Sequence, residues 1–268
     1  MKKVLLITAI MVAALFVACG KKDNVLVVGV TQFEPMNFLD ANGNWTGFDT
    51  EFALAVGERL GMEIQFQEIT WSQKFIELQA GTIDAIWNGM TANTVDSATG
   101  RPRHEDVDFS YSYMLNTQCV VIRTDRVGEF TSAADLAGRT AAAEEGSAGD
   151  TVANEVIGAD GSFIGVVAQI DTFIEVKSGA VDFAVVDSIL AHQIAGTGDF
   201  GDLMVAELSL GARQEVYAIG LPIGSDLVEQ INNAIMELYS DGTLRRIAEK
   251  YGLEESVVIG TQPISSMH

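Results

Sequence analysis

The chain has 268 residues, 48% of them hydrophobic and 20% charged, with 37 Asp and Glu against 16 Lys and Arg, a formal net charge of −21. A surface this acidic repels phosphate backbones, which excludes nucleic acid as a partner. It keeps a protein soluble and says little about its fold.

Lys2 and Lys3 precede an unbroken apolar run from Val4 to Ala18, which stops at Cys19. A charged start followed by an apolar run too short to span a bilayer comfortably predicts a signal peptide over residues 1–19. Ala18 before Cys19 fits a bacterial lipobox, with Phe16 where leucine is usual, so Cys19 is the expected lipidated N-terminus of the mature chain. An ordinary signal peptide with an incidental cysteine is the alternative. Residues 20–24 read as a short polar tether. The remaining chain, about 245 residues, fits one large domain or two of ordinary size. No other stretch reaches membrane-spanning length, so the mature protein is expected to be extracytoplasmic: soluble, but lipid-anchored to the outer face of the cell membrane or periplasmic. Removing Lys2 and Lys3 brings its charge near −23. Cys119, in TQCVVI, has no partner if Cys19 carries lipid and reads as a lone buried thiol.

VLVVGV (Val25 to Val30) is an apolar β-branched run, as in a strand buried on both faces. A turn at Asn42-Gly43 signals a hairpin. An amphipathic helix over about Asp49–Leu60 places Phe52, Val56 and Leu60 on one face, and Gly61 closes it. MEIQFQEI alternates as a strand. Ser72 is the expected cap of a second helix carrying Phe75, Ile76 and Leu78, ended by Gly81, with IDAIW as the next strand. GRTAAAEEGSAGDTVANEVIG then repeats strand, glycine-bearing loop and helix, and IDTFIEVKSG and VDFAVV repeat helix and strand. EVYAIGLPIG reads as a further strand, SDLVEQINNAIMELYSDG and TLRRIAEKYG as two amphipathic helices, and residues 254–268 as a loosely held tail. Such alternation means βαβ units and parallel sheets. GTGDFG (Gly196 to Gly201) follows a helix rather than a strand, so it reads as a turn-rich linker and not as a nucleotide cradle.

Two phrases nearly coincide: AGTIDAIWNGM from Ala80 and SGAVDFAVVDS from Ser178. Each ends a strand in polar residues, Asn88-Gly89 in one and Asp187-Ser188 in the other. Ligands of open α/β sheets bind beyond the carboxyl ends of the strands, so these pairs would face a cleft between two lobes. Asp187 could equally cap the helix SILAHQIA. Gly146, Ser147 and Ala148 lie between a strand and a helix start, where N–H groups and the helix dipole favour an anion. Arg103 can grip a carboxylate through paired hydrogen bonds. An anion site together with a lone acid is what an α-amino-acid zwitterion needs: carboxylate to Arg103 and the helix start, ammonium to Asp187.

The signposts FEPMNF, NGNWTGFDTEFALAVGERLG, LQAGTIDAIWNGMT, VDFSYSY, GSAGD, SGAVDFAVVD and SDGTLRRIAEKYG span nearly all of Val25 to Leu253. Together they resemble the polar amino-acid solute-binding proteins of ABC importers (extracytoplasmic solute-binding protein family 3). The resemblance implies a two-lobe type II periplasmic-binding-protein fold, each lobe a mainly parallel α/β sheet flanked by helices, joined by two hinge strands. It places lobe one at 25–115 and 216–253, and lobe two at 116–215. It puts Phe33 and Trp71 against the ligand side chain, Gly89 and Thr91 at its amino and carboxylate groups, and Arg103 and Ser147 at the carboxylate. Asp187 falls at the ammonium; Ala148 replaces a common Ser or Thr, so its backbone N–H alone could serve. The inserted segment ANTVDSATGRP departs from the family, and spacing favours Arg103 over Arg101. Trp87 reads as core.

The expected function is capture of a polar L-amino acid, or a derivative such as cystine, and delivery to an ABC permease and its ATPase. The expected receptor is a monomer with no cofactor and no metal. The rivals are a same-fold enzyme of the cyclohexadienyl-dehydratase type, for which Glu34, Glu144 and Glu145 are loop acids, and an amino-acid sensing module. His104, His192 and His268 are scattered, and no nucleophile–base pairing or metal-ligand spacing is visible. Side-chain selectivity is sought in the first loop, where Thr31 and Gln32 suit a neutral polar group and Glu34 leaves a cationic one open.

Overall fold

The computed structural model describes residues 24–211, 214–262 and 264. The signal peptide, Cys19 and residues 20–23 lie outside the described residues.

The chain begins with β1 (Val25–Val30), a hairpin of β2 (Phe38–Leu39) and β3 (Trp45–Thr46), α1 (Phe48–Leu60) and β4 (Glu63–Glu68). A single 3-10 turn at Trp71–Gln73 leads into α2 (Lys74–Ala80), followed by β5 (Ala85–Ile86). Another such turn at Arg103–Glu105 precedes β6 (Asp108–Phe109), β7 (Ser112–Asn116) and β8 (Gln118–Arg123). Then come β9 (Thr140–Glu144), α3 (Ala148–Ile157), β10 (Ser162–Val166), α4 (Gln169–Ser178), β11 (Phe183–Asp187) and α5 (Ser188–Ile194). The chain finishes with β12 (Leu203–Val205), β13 (Glu215–Tyr217), β14 (Gly220–Leu221), α6 (Leu227–Ser240), α7 (Thr243–Lys250) and β15 (Val257–Gly260).

The two lobes are built alike. One five-stranded sheet has the order β4-β1-β5-β14-β6 and the other β10-β9-β11-β8-β12. In each, the first three strands are parallel and the fourth runs antiparallel to both its neighbours. The echoed phrases supply β5 and β11, the middle strand of each sheet. Their likeness is therefore positional: both follow a helix closed by a left-handed glycine, Gly81 (φ 71°) and Gly179 (φ 78°), and both enter a sheet centre.

The chain passes between lobes at β7 and β13, which pair antiparallel with Leu115 opposite Val216. β15 joins the other edge of β7, so residues 257–260 of the tail expected to be loose are tied to the hinge. EVYAIGLPIG divides into β13 and β14 because the chain leaves the hinge sheet there and enters the sheet of lobe one. Ser72 lies in the 3-10 turn, and α2 starts a residue pair later with Gln73 at its N-cap and no side-chain cap. GTGDFG forms a short 3-10 turn at Gly198–Phe200 before β12.

Leu26, Val28 and Val30 of β1 are buried beneath Phe48, Phe52 and Val56 of α1. Trp87 is fully buried and meets Phe52 edge-on at 5.1 Å, as a core residue does. The Cys119 thiol lies 3.6 Å from the Val186 carbonyl, and burial pushes it up to about 12, which leaves it unreactive.

Candidate functional site

The end of β5 is shaped by a turn that only glycine fits. Gly89 has φ +57°, and a Cβ there would overlap the Phe33 ring. Its N–H donates to Asp49 Oδ2 at 2.6 Å, and the Tyr113 hydroxyl donates to the same oxygen at 2.9 Å. Burial raises the Asp49 carboxyl to about 7, against the pull of those donors. The N–H of Gly89 is thus engaged by Asp49. Asn88 is tied to Thr31, accepting its N–H at 2.8 Å and donating to its hydroxyl at 2.6 Å.

The end of β11 is Asp187, 5% exposed. It occupies the N-cap position of α5 but makes no side-chain capping bond. Its carboxylate instead accepts from Asn116, from Gln118 at 3.0 Å, from Gln169 and from the Tyr217 hydroxyl at 2.9 Å. The alternative of a plain helix cap therefore fails on geometry. Glu215 lies behind it, sharing Asn116 (2.9 Å) and Gln118 (2.8 Å) as donors and accepting from Thr91 at 3.3 Å. Burial, then the negative charge of Asp187, push Glu215 up to about 7. Burial also raises Asp187, although its amide and hydroxyl donors oppose this.

The cationic side of the site comes from lobe one. Arg103 is 1% exposed; its guanidinium donates to the Thr91 carbonyl at 2.7 Å and across the cleft to the Gly146 carbonyl at 2.8 Å. Arg101, by contrast, is half exposed and pairs with Asp106. Lys74, buried beside Arg103, donates to Asp96 at 2.8 Å and to the Gly146 carbonyl at 3.0 Å. Burial and then the neighbouring Arg103 pull its ammonium down to about 8. Asp96 comes from the inserted segment and also stands 3.6 Å from Arg103 Nε. Burial alone would raise its carboxyl, but Lys74 and Arg103 outweigh that and hold it below the ordinary carboxylate value.

Trp71, Asn88, Gly89, Thr91, Arg103, Ser147, Ala148 and Asp187 converge on one narrow cavity, together with Glu144 and Gln169. Phe33 is not in its lining; it packs on Gly89 from behind. Trp71 stacks under the cations, 5.0 Å from Lys74 and 5.9 Å from Arg103. Ser147 caps α3 by accepting the Asp150 N–H at 3.0 Å, while the Gly146 N–H is taken by the Asp150 carboxylate. Ala148 and Gly149 then carry the first helical N–H groups, which have no partner inside the helix by position.

Lys74, Asp96, Gln169, Asn116, Gln118 and Glu215 escaped the sequence reading. A signal did exist for the hinge: YMLNTQCV interrupts an apolar β run with Asn116 and Gln118, the donors that hold both acids.

Two similar lobes with a polar space between them are the architecture of a type II periplasmic binding protein. The chain belongs to the bacterial extracellular solute-binding proteins, family 3, whose family model it matches over residues 26–254. It is 32% identical to the probable amino-acid-binding protein YxeM of Bacillus subtilis (strain 168), over 94% of this chain and 96% of that one. It is 28% identical to the L-cystine-binding protein TcyA of the same organism, over 86% and 82%. Among solved structures, an ABC uptake transporter substrate binding protein from Streptococcus pneumoniae with bound histidine superposes with a TM-score of 0.74. That pair shares 30% identity over 89% and 95% of the chains. Among the described residues no helix is long and apolar enough to cross a membrane.

Proposed function

We propose that this chain is the amino-acid receptor of an ABC uptake system, closing its lobes on a polar L-amino acid and presenting it to a permease and its ATPase. The observation that carries the reading is the pairing of Arg103 on lobe one with Asp187 on lobe two around one narrow cavity. A guanidinium and the start of α3 suit the ligand carboxylate, and Asp187 suits its ammonium. The cystine-binding and histidine-bound relatives support a free amino acid as the solute. Lobe closure around a ligand is a known two-state motion, and the closed form is the one a permease would read. Cys19 is the proposed lipid anchor; Cys19→Ser should release the protein from the membrane fraction with its ligand affinity unchanged.

Calorimetry tests the site. Removing one partner of a buried charge pair costs about 2–5 kcal/mol, so Arg103→Ala and Asp187→Ala should each weaken amino-acid binding roughly 30-fold to several thousandfold. A deaminated analogue should bind the parent protein poorly, yet lose less against Asp187→Ala. Failure of every amino acid and of cystine to shift the melting temperature would sink the reading.

One observation favours a second reading. Glu144 lines the cavity as a carboxyl pushed up to about 8 by burial, the state a general acid of a dehydratase needs. Glu34 and Glu145 do not line it. Incubation with prephenate, followed by detection of a dehydrated product, decides between the readings.

A further inference from the structure

Glu215 is a buried acid that the proposed binding step does not use, and it stands on the hinge strand β13 opposite Asn116. It does not line the ligand cavity. Its Oε2 and Asp187 Oδ1 share the same two amide nitrogens. Asn116 Nδ2 donates to both, at 2.9 Å to Glu215, and Gln118 Nε2 donates to both, at 2.8 Å to Glu215 and 3.0 Å to Asp187. Two residues along β13, on the same side of the strand, the Tyr217 hydroxyl donates to that Asp187 oxygen at 2.9 Å. From lobe one, Thr91, which lines the cavity, donates to Glu215 Oε2 at 3.3 Å.

The two amides are not held alike. Asn116 Oδ1 accepts from the Ser188 hydroxyl at 3.2 Å, so that amide is fixed at both ends. Gln118 Oε1 is buried and accepts from none of the described residues. Among them, only the two acids decide which way the Gln118 amide points. Turned over, it would set an oxygen against the Asp187 carboxylate in place of a donor.

We propose that Glu215 is a positioning residue for the ligand ammonium: through the amide nitrogens it shares with Asp187, above all that of Gln118, it fixes where the Asp187 carboxylate stands. The inference rests on the reading of Asp187 as the ammonium contact. Glu215 does this as a neutral carboxyl, because two carboxylates set against one pair of amides repel each other. Burial, then the charge of Asp187, push it up to about 7. The other charged or titratable groups around it are Arg103, Tyr217 and, in the recess that Gln118 also lines, Glu155. An ammonium on Asp187 offsets the charge that holds the Glu215 proton. Binding should therefore release part of that proton near pH 7, and affinity should rise with pH there.

The test compares L-glutamine with glutaramate, the same molecule without its ammonium. If glutamine does not bind, the pair is whichever other common amino acid raises the melting temperature most and its deaminated analogue. The parent protein should favour the amino acid about 30-fold or more. Glu215→Leu removes the acceptor and should lower this ratio about fivefold or more, with the affinity for the analogue changed less than about threefold. Glu215→Ala serves if the leucine variant does not fold. Glu215→Gln keeps an acceptor for both amides and should hold the ratio within about threefold of the parent value. Titrations at pH 7 in buffers of different ionisation enthalpy should show proton release on amino-acid binding that is smaller in Glu215→Gln, a readout that stands whether or not the apolar variants fold. An unchanged ratio in the leucine or alanine variant, or equal losses for amino acid and analogue, overturns the inference and leaves the amino-acid reading standing. So does a ratio in Glu215→Gln as low as in the leucine variant, or proton release there equal to the parent's. Failure of every amino acid to bind, or a parent protein indifferent to the missing ammonium, overturns both.

Discussion

Arg103 donates to the Gly146 carbonyl at 2.8 Å, so a guanidinium of lobe one holds the turn that starts α3 in lobe two. The inserted segment before Arg103 adds to the same crossing. Ser97 donates to the Asp150 carboxylate at 2.5 Å, and Thr151 donates to the Val95 carbonyl at 3.1 Å. Closure is thus stitched from one short stretch to one helix start.

Those two bonds lie outside the ligand cavity, so they should act on closure rather than on ligand contact. A net hydrogen bond contributes about 0.5–1.5 kcal/mol. The double variant Ser97→Ala/Thr151→Val should therefore speed ligand dissociation roughly 5-fold to 100-fold. Its unliganded form should have a larger radius of gyration by small-angle scattering. Unchanged dissociation in stopped-flow would show that the segment does not hold the lobes.

Asp96 faces two buried cations. Removing its charge leaves Lys74 and Arg103 in mutual repulsion with only carbonyls to receive them. Breaking a buried pair from one side costs about 3–5 kcal/mol, so Asp96→Asn should lower the melting temperature by several degrees. Lys74→Met in the same chain should recover part of the loss, since it removes the cation left unmatched. Additive losses in that double variant would mean the pair is not coupled.

The buried acids give stability an unusual pH profile. Asp49 and Glu215 rise to about 7 and Glu144 to about 8, from ordinary values of 3.8, 4.5 and 4.5. Between about pH 5 and 7 the folded protein therefore holds more protons than the unfolded chain, and stability falls as pH rises. Lys74 acts in the opposite direction higher up. Its folded value of about 8 lies below 10.5, so above pH 8 the unfolded chain holds more protons and stability recovers. Thermal unfolding of the ligand-free protein should pass through a minimum near pH 7–8. A flat curve from pH 5 to 9.5 would remove these shifts from the argument.

What could be read from the sequence was set by period and punctuation. α1, α4 and α6 carry apolar stripes, and Gly61 and Gly179 mark the ends of the first two with left-handed turns. The echo of β5 and β11 located both polar strand ends, because a strand's end is a local property. Lys74 and Asp96 were not legible, since each is an ordinary surface residue until a distant segment covers it. The same holds for Glu215, which belongs to the site only through Asn116 and Gln118 on the antiparallel partner strand and its continuation. The short strands β6 and β12 carry too few residues for a period to show.

Gly89 offers a test that separates backbone strain from packing. Gly89 and Gly43 both hold left-handed φ, +57° and +80°, so alanine at either position costs about 1–2 kcal/mol from conformation alone. Around Gly43, in the exposed hairpin turn, nothing lies within 4 Å of an added Cβ. At Gly89 the Cβ would overlap the Phe33 ring and lie 3.1 Å from Tyr217 Cε2. Relief requires either ring to shift, and both are fully packed, or the turn to move away from Asp49. That second route breaks the Gly89–Asp49 bond and leaves a buried carboxylate with fewer donors, a further cost of about 1–3 kcal/mol. Gly89→Ala should thus destabilise by roughly twice as much as Gly43→Ala in urea denaturation. It should also weaken ligand binding, because Asn88 and Thr91 flank the displaced turn, whereas Gly43→Ala should bind as the parent does. Equal losses of stability at the two positions would show that the Phe33 contact carries no weight.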